Sequence, residues 1–367
     1  MSSRLNVLIP DGDSTWALSV LQCLSHIEDY KLFVLSNEKR TATKYSKYTA
    51  YYKFYERSNE ASWLDIINSE VETNSISVIL PIAEAEVLFF ISNRSKISRT
   101  AKVIPLPKLR DFETAINKYK LSEFCKAHNI SHPRSFLIAS EKEKQDVLSK
   151  IHFPILIKPL SQKGGDGIEK VQTISEIPER LEHIKSPAFV QEYIEGYDID
   201  CSVLCQDGEV LTYTVQKGNL PGHNEFAPQL GFDFLQNEEV VNIAKEVMSL
   251  LNWFGVAHLD MRFDKATNSY CLIEINARFW GSIDGSRHAG VNFPHLAIQC
   301  ALKQPVMVHA FNNLPYMRLK GVLKYLKRNP LFLFKRKFLL EQTETKSFLK
   351  DPLPTMYKFR EWLGRQF

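Results

Sequence analysis

The sequence has no apolar run long enough to cross a membrane. Its longest stretches fall short of the ~18 uncharged apolar residues of a transmembrane helix, and the N-terminal MSSRLNVLIPDGDS has too short an apolar core for a secretory signal. The six cysteines are scattered, without a Cys-x-x-Cys pair, and most lie in apolar runs. We therefore predict a cytoplasmic protein with buried, reduced thiols.

Two common nucleotide-binding motifs are also missing. The first turn, Asp11-Gly12-Asp13-Ser14, lacks G-x-G-x-x-G, and the chain contains no G-x-x-x-x-G-K-[ST], so neither a dinucleotide fingerprint nor a Walker loop is supported. The length and the composition of the chain are those of a globular protein. Its 367 residues, 44% hydrophobic and 24% charged, are enough for two or three packed units.

Residues 4 to 105 predict an α/β unit, because strand-like and helix-like segments alternate and such alternation favours a small parallel sheet. The predicted elements are strands Leu5–Ile9, Lys31–Leu35 and Ser77–Pro81 and helices Thr15–His26 and Glu84–Ile91. The Lys-, Arg- and Tyr-rich stretch 39–53 predicts a solvated helix, with a ligand loop as the alternative.

The stretch 255–290 predicts a β-hairpin followed by a loop. Asp260 lies on its first strand, while Glu274 and Asn276 share a face of the second, because they are two residues apart. Two carboxylates and an amide oxygen suit Mg²⁺, and Arg278 follows beside them. The alternative is the solvated face of an ordinary hairpin.

A second candidate region is the glycine-containing stretch 153–171. A predicted apolar strand ends at Lys158-Pro159, and Gly164, Gly165 and Gly167 follow. Glycines let backbone N–H groups approach phosphate oxygens, and Lys158 supplies a fixed positive charge. A tight hairpin would use glycines in the same way, so the loop alone is weak support.

The run E-I-N-A-R-F at 274–279, with Asp260 fourteen residues upstream, resembles the metal-binding signature of the ATP-grasp superfamily. The resemblance is greatest to carbamoyl phosphate synthase large subunits and D-alanine–D-alanine ligases. It implies that Asp260, Glu274 and Asn276 bind Mg²⁺, with Mn²⁺ as a substitute. It also implies that Arg278 acts catalytically by steadying the transferring phosphoryl group. Asp260 is the weakest metal assignment, since some members have Gln there.

Other segments resemble the same superfamily in its usual order. Asn117-Lys118, in a helix predicted over 111–128 and ended by Asn129, is similar to the segment whose Lys contacts phosphate. Asn117 replaces the usual Asp, and Asn129 replaces the usual Gly. The strand ending at Lys158, with Gly164, Gly165 and Gly167, resembles the flap that closes over the nucleotide.

Residues 189–198, FVQEYIEGYD, resemble the hinge between the two grasping subdomains. The resemblance implies that the backbone of residues 192–194 bonds the adenine edge and that Asp198 bonds ribose, with Asp200 as a competing candidate. The implied ATP-binding residues of this segment are Gln191, Glu192, Tyr193, Ile194 and Asp198.

The resemblance implies an α/β (α+β) fold with four units. These are a Rossmann-like pre-ATP-grasp domain (1–107), an ATP-grasp N-terminal subdomain with the phosphate flap (108–190), a C-terminal subdomain with the metal site (191–309) and a basic C-terminal extension (310–367). The loop 217–233 is expected to contribute to acceptor binding. For its His223, an incidental position and a functional role are equally compatible with the sequence. His258 is interpreted as a buried, satisfied histidine in preference to a catalytic one.

The first part of the C-terminal extension carries one sign of charge. Residues 310–340 contain eight Lys or Arg and no acid, interleaved with apolar side chains. Three interpretations stay open: packing on the core, peripheral association of 318–340 with an anionic membrane at its inner face, and nucleic-acid binding, which is the least favoured. The oligomeric state is not fixed by the sequence, and a homodimer is compatible with it.

The implied function is an ATP-dependent carboxylate–amine ligase that forms an amide through an acyl phosphate. Its substrates would be a small-molecule carboxylate and an amine, on an amino acid or a cell-surface polymer precursor, with ATP and Mg²⁺ as cofactors. Two alternatives remain: a nucleotide-binding regulatory protein without catalysis, and an RNA-modifying ATP-grasp ligase.

Overall fold

The computed structural model describes residues 4–159, 167–177, 187–307 and 310–364. Within these ranges the chain forms three β-sheets. The predicted mixed α/β fold is confirmed. The boundaries of the four predicted units stay a prediction.

The first sheet is parallel, with strand order β3-β2-β1-β4-β5. Its strands are β1 (Leu5–Ile9), β2 (Tyr30–Ser36), β3 (Thr49–Phe54), β4 (Val78–Ile79) and β5 (Lys102–Val103). The helices between them are α1 (Ala17–Leu24), α2 (Glu60–Thr73) and α3 (Glu84–Ser92). The alternation of strands and helices was therefore a sound guide to a parallel sheet.

The helix predicted for residues 39–53 is wrong. After one short 3₁₀ turn, Thr43–Tyr45, the chain forms β3 and pairs in parallel with β2. Thr, Tyr and Phe favour strands, and the neighbouring edge of β2 offers the pairing that a surface helix would leave unused. Of the lysines that suggested a solvated helix, Lys53 lies on this edge strand, and Lys39, Lys44 and Lys47 precede it.

Two helices connect the first sheet to the second, α4 (Leu109–Ile116) and α5 (Lys118–Ala127). The prediction of one helix over 111–128 is wrong, because the chain breaks at Asn117. The Asn117 side chain accepts hydrogen bonds from the backbone N–H groups of Tyr119 and Lys120, both at 3.0 Å, and so caps α5. Asn129 has a φ of 56°, the left-handed conformation expected after the helix.

The second sheet is antiparallel, with order β6-β9-β7-β8. It contains β6 (Ser135–Ile138), β7 (Ile155–Pro159), β8 (Glu169–Val171) and β9 (Ala188–Glu192), with α6 (Glu141–Lys150) packed on it. Gly164 and Gly165 lie outside the described residues. Gly167 is described and has a φ of 69°, which glycine adopts without strain.

The third sheet is antiparallel, with order β14-β13-β10-β11-β12-β15. Its strands are β10 (Gly196–Gln206), β11 (Glu209–Leu220), β12 (Gly231–Phe234), β13 (Gly255–Asp264), β14 (Ser269–Asn276) and β15 (Leu314–Met317). The stretch 217–233, interpreted as a loop, begins and ends in strands β11 and β12. Strand β15 lies in the range assigned to the extension, yet it pairs with β12.

The remaining helices follow or flank this sheet: α7 (Glu238–Leu250), α8 (Ile283–His288), α9 (Phe293–Ala301), α10 (Leu319–Arg328), α11 (Arg336–Glu341), α12 (Thr345–Lys350) and α13 (Pro352–Gly364). In the described ranges, none is long and apolar enough to span a membrane. The first and third sheets share one hydrophobic core, whereas the second sheet has its own. Two separately packed bodies therefore face each other.

Candidate active site

A cleft of about 350 Å³ lies between the second and third sheets, and loops of the first sheet close one end. It collects most of the predicted site residues. Those that line it are Lys118, Lys158, Gln191, Glu192, Tyr193, Ile194, Asp198, Asp260, Glu274, Asn276 and Arg278. Sequence positions up to 160 apart are thus brought to one surface.

The strand register of the third sheet explains why acidic side chains gather at one place. Asp200 on β10 is paired with Asp260 on β13, and Asp260 is paired with Glu274 on β14. Gln216 on β11 continues the same row beside Asp200. Directly paired residues point to the same face of a sheet, so the three carboxylates form a line across three strands.

One end of the cleft, called the metal end below, contains the predicted metal ligands, and the Asn276 amide links them by hydrogen bonds. Asn276 Nδ2 donates to Asp260 Oδ2 at 3.2 Å and reaches Glu274 Oε1 at 3.5 Å. Arg278 Nη2 donates to Asn276 Oδ1 at 2.6 Å, and Arg278 Nε lies 3.5 Å from Glu84 Oε1 on α3. The signature residues are therefore one connected network.

The pKa values of the two carboxylates in this network are shifted in opposite directions. Burial and the charges of Glu274 and Asp200 raise the pKa of Asp260 well above its ordinary value. Burial also acts upward on Glu274, but a hydrogen bond from Asp260 and the charges of Lys118, Lys158 and Arg278 outweigh it and lower its pKa. Asp260 therefore holds a proton more readily than Glu274, whose negative charge the three cations favour.

These donors fit a hard divalent cation. Carboxylate oxygens of Asp260 and Glu274 face the same point, and the Asn276 amide that bridges them can present its oxygen by rotating about its last side-chain bond. Such a set, open to the cleft, would hold Mg²⁺ and leave positions for phosphate oxygens. When bound, the ion would neutralise phosphate charge.

His258 is buried next to these carboxylates. Its Nδ1 hydrogen-bonds to Ser202 Oγ at 2.8 Å, its Nε2 lies 3.2 Å from Asp260 Oδ1, and its ring stacks on Trp280. Burial lowers its pKa to about 3, so the ring is neutral. These contacts agree with the interpretation of a satisfied buried histidine.

Asp200 is the main acidic residue whose position the sequence did not define. Burial raises its pKa to about 8, although the Gln216 amide donates to it at 2.9 Å. Atoms of Asp200, His258 and Asp260 that could bind a metal lie within 4.8 Å of one another. The alternation Asp198, Asp200 along β10 was a signal for this site, but only the register shows which acid lies beside Asp260.

Lys158 enters the cleft from the second sheet. It is buried, and its Nζ donates to Gln191 Oε1 at 2.6 Å, while Gln191 in turn donates to Ser135 Oγ. Burial lowers the pKa of Lys158 to about 8, and the charges of Glu274 and Asp260 oppose the shift. Gln191 therefore contacts the lysine that is predicted to hold phosphate.

The hinge residues offer few free backbone donors. The N–H groups of Glu192 and Tyr193 donate to the carbonyls of Arg134 and Pro154, both at 2.9 Å. In the described part of the chain, no such bond uses the N–H of Ile194. Of the three hinge residues, Ile194 is thus the one whose N–H remains for a ligand.

Asp198 faces the hinge end of the cleft and not the metal end. Its carboxylate is paired with Arg262, whose Nε donates to Ile194 O at 2.6 Å. Arg262 also lies 5.2 Å from the Tyr193 ring centre, and the Tyr193 hydroxyl is bonded to Glu225. Sequence reasoning missed Arg262, although it continues the His258, Asp260 alternation along β13.

The opposite end of the cleft is formed by parts far apart in sequence. Trp16 follows β1, Glu84 begins α3, and Arg318 precedes α10. Buried polar atoms of Gln216, Trp280 and Arg318, all lining residues, have no hydrogen-bond partner among the described residues. His223, by contrast, is exposed and is not among the lining residues.

Comparison with known proteins agrees with this geometry. Residues 185–324 match the family described as ATP-grasp in the biosynthetic pathway with Ter operon. The carbamoyl phosphate synthase large chain of Thermoanaerobacter sp. (strain X514) is 22% identical over 199 residues, which cover 51% of this chain and 18% of that one. The D-alanine–D-alanine ligase of Prochlorococcus marinus (strain MIT 9215) is 29% identical over 150 residues, 37% of this chain and 42% of the relative.

Solved structures extend the comparison to most of the chain. N5-carboxyaminoimidazole synthetase from Staphylococcus aureus has a TM-score of 0.69 at 12% identity, covering 89% of this chain and 85% of that one. L-amino acid ligase from Bacillus licheniformis has a TM-score of 0.59 at 16% identity, covering 82% and 74%.

The resemblance to the ATP-grasp superfamily is thereby confirmed, and the chain has the ATP-grasp fold. Its relatives and structural neighbours are ATP-grasp ligases. The chain spans less than half the length of either named sequence relative.

Proposed function

We propose that this chain is an ATP-dependent carboxylate–amine ligase that forms an amide through an acyl phosphate. The observation that carries the proposal is one cleft in which Lys118, Lys158 and Arg278 lie close enough to Glu274 for their charges to lower its pKa. Cations for phosphate and carboxylates for a divalent cation thus meet at one point. That pairing is what transfer of a phosphoryl group requires.

The proposed reaction has two steps. A carboxylate oxygen attacks the γ-phosphorus of ATP, the bond to the β,γ-bridging oxygen breaks, and ADP and an acyl phosphate form. The amine nitrogen then attacks the acyl carbon, phosphate leaves with the C–O bonding pair, and the nitrogen loses its proton to solvent. Phosphorylation is needed because oxide is a poor leaving group, whereas phosphate is a good one.

The proposed roles combine the resemblance to ATP-grasp ligases with the positions of the described residues in the cleft. Lys118 and Lys158 bind phosphates, Arg278 stabilises charge on the transferring group, and Gly164, Gly165 and Gly167 are proposed from the resemblance alone to bind the nucleotide. Asp260, Glu274 and Asn276 hold Mg²⁺, for which Mn²⁺ can substitute. At the hinge, the Ile194 N–H would bond the adenine edge, and Asp198, which is paired with Arg262, would bond ribose.

The substrate class we propose is an amino acid or a carboxylate precursor of a cell-surface polymer. The names of two similar proteins, a D-alanine–D-alanine ligase and an L-amino acid ligase, support amino acid substrates. The loop 221–230 would contribute acceptor contacts, because Glu225, Phe226 and Gln229 line the cleft.

Trapping of the intermediate tests this proposal. Protein, ATP, Mg²⁺, hydroxylamine and a panel of amino acids and uronic acids should release ADP and give a hydroxamate with the right carboxylate, without any amine. The matched control is Glu274→Gln, which should give neither product. Release of AMP and pyrophosphate would indicate an acyl adenylate intermediate and contradict the acyl phosphate. Nucleotide binding without turnover of any acid would favour a regulatory protein.

We also propose that part of the extension docks on an anionic membrane surface. The short segment Pro330–Phe334 exposes Leu331 (70%), Leu333 (58%) and Phe334 (76%), while Phe332 packs inward against Tyr325 and Phe338. Exposed cations lie on both sides of this apolar tip: Lys327, Arg328, Lys335, Arg336 and Lys337. Apolar side chains ringed by cations suit insertion between anionic headgroups.

The extension also packs on the core, as one of the original interpretations required. Met317, Val322, Phe332 and Leu339 form a small buried cluster with Leu220 at its edge. Lys324 Nζ donates to the carbonyls of Pro221 and Gly222, both at 2.9 Å. Packing thus fixes the tip in position and leaves its three apolar side chains outside.

Vesicle sedimentation tests the proposed membrane docking. Wild-type protein should sediment with phosphatidylserine vesicles at low salt and less at high salt, because charge is screened within a Debye length of ~8 Å at physiological ionic strength. Replacing Lys335, Arg336 and Lys337 by Glu should release it. The control triple variant reverses the exposed Lys126, Lys245 and Lys265, which lie elsewhere. No wild-type binding at low salt would reject membrane docking.

A further inference from the structure

One cation lies at the end of the cleft away from the hinge and is poorly neutralised. Arg318 is the residue before α10, and its side chain is 20% exposed and lines the cleft. Its guanidinium carbon lies 5.4 Å from the Trp16 ring centre. Its Nε is buried, and in the described part of the chain it has no hydrogen-bond partner.

The nearest acid, Glu344, forms an ion pair with this guanidinium but no hydrogen bond to its Nε. Glu344 Oε1 is 3.7 Å from Arg318 Nε, too far for a hydrogen bond, and Glu344 Oε2 already accepts from the Leu319 N–H at 2.7 Å. Burial raises the pKa of Glu344, with the charges of Arg318 and Lys358 opposing the shift. One carboxylate therefore faces two cations, and a positive charge remains in surplus.

A glycine lets the backbone approach this cation and Trp16 closely. Gly281 follows Arg278 by three residues, and a Cβ built on it would lie 2.8 Å from Trp16 Cη2 and 3.4 Å from Arg318 Nη1. Any larger residue at position 281 would therefore displace Trp16, the wall against which Arg318 lies. The adjacent Trp280 Nε1 is a second buried donor without a partner among the described residues.

We propose that Arg318, with Trp16 as its wall, binds a second anionic group on the carboxylate substrate. The reacting carboxylate would lie beside Arg278, and the second carboxylate or phosphate would lie beside Arg318, so the substrate is a dianion. This inference rests on the proposed ligase function for its orientation. A guanidinium is planar and stays charged, so it suits two-point contact with either anionic group.

Binding of matched acids tests the subsite directly. Titration calorimetry, with Mg²⁺ and ADP present, compares glutarate and adipate with butyrate and pentanoate, and compares phosphonobutyrate with both. The wild type should bind the dianions about tenfold to a hundredfold more tightly than the monoanions, the range expected for one charge-assisted contact. The phosphonate arm distinguishes a phosphate group from a second carboxylate.

Variants assign the preference to one side chain. Arg318→Gln should remove the preference for dianions, whereas Lys320→Gln, the same charge change on an exposed residue two positions later, should keep it. Arg318→Met, which keeps an aliphatic chain beside Trp16, serves the same purpose if the glutamine variant does not fold. Equal binding of monoanions and dianions by the wild type, or a preference that survives both Arg318 variants, overturns the subsite.

The ligase proposal can fail independently of this one. Absence of ADP release with every acid, together with a dianion preference that depends on Arg318, would reject the ligase and keep the subsite. ADP release with monoanions and no preference for dianions would do the opposite.

Discussion

The metal end of the cleft gathers carboxylates, and the tip of the extension gathers cations. The carboxylates lie within the cleft, whereas the cations are exposed to solvent. Asp200, Asp260 and Glu274 lie in a row on paired strands, set back in the cleft. The pKa values of Asp200 and Asp260 are raised, and that of Glu274 is lowered. The cations at 327–328 and 335–337 are exposed, and none of them forms an ion pair within the described residues.

The difference shows what crowding of like charge does. In the cleft, low polarisability and proximity make the carboxylates interact, so a proton or a cation must be shared among them. On the extension, water screens the cations from one another, and they act only as a potential for an anionic surface. The cleft carboxylates therefore affect one another's protonation, whereas the cations of the extension do not.

The largest expected effect comes from removing one cleft carboxylate. Glu274→Gln keeps the shape of the side chain but loses a charge that would face the divalent cation. Several kcal/mol of transition-state stabilisation depend on such an ion, which corresponds to a loss in kcat on the order of a thousandfold. Steady-state ADP release measures it, and circular dichroism verifies the fold. Near wild-type turnover would contradict the metal assignment.

A smaller effect concerns the pH dependence of nucleotide use. Burial lowers the pKa of Lys158 to about 8, below the ordinary value of 10.5. Above pH 8 the free protein loses this phosphate-binding charge, so kcat/KM for ATP should fall about tenfold per pH unit. Lys158→Arg should move the fall to higher pH, because guanidinium stays protonated. An unchanged profile in that variant would mean that another group titrates.

The same lysine has a consequence for stability with a definite sign. Between pH 8 and 10.5 the unfolded chain keeps the Lys158 proton that the folded protein releases. The unfolded state then binds more protons, so this residue makes the free energy of unfolding increase as pH rises through that window. Chemical denaturation at several pH values measures it, with Lys158→Met as the control that should abolish the contribution.

A third prediction concerns Asp260→Asn. Without Mg²⁺ this change removes one of the interacting acids, so the free energy of unfolding should rise on the order of 1 kcal/mol, the size of a screened like-charge interaction. With Mg²⁺ and ATP the order should reverse, because only the wild type gains from binding the cation. Thermal unfolding with EDTA and with MgATP tests both halves. A variant less stable than wild type in EDTA would disprove crowding at this site.

The smallest effect is expected at the tip. Reversing Lys335, Arg336 and Lys337 should change the free energy of unfolding by less than about 0.5 kcal/mol, as is usual for surface substitutions. ADP release should also be unaltered, since none of the three lines the cleft. Urea denaturation and the ADP assay provide the measurements. A loss above 1 kcal/mol would show that these cations take part in packing.

The sequence by itself determined the alternation of strands and helices and the β13–β14 hairpin, and it predicted the chemical type of the site. These are local properties, since a period of two, a turn signal or a short motif is complete within about 30 residues. The sequence did not reveal the edge strand β3 or the break at Asn117, because each depends on a neighbour that satisfies backbone groups.

Only the tertiary structure decided which acids share a site and what reaches the far end of the cleft. Strand register places Asp200 beside Asp260 and leaves Asp198 with Arg262. Packing of the extension on the core brings Arg318 over Trp16, about 300 residues away in sequence. Neither contact has a local signature, because both follow from how whole sheets pair and pack.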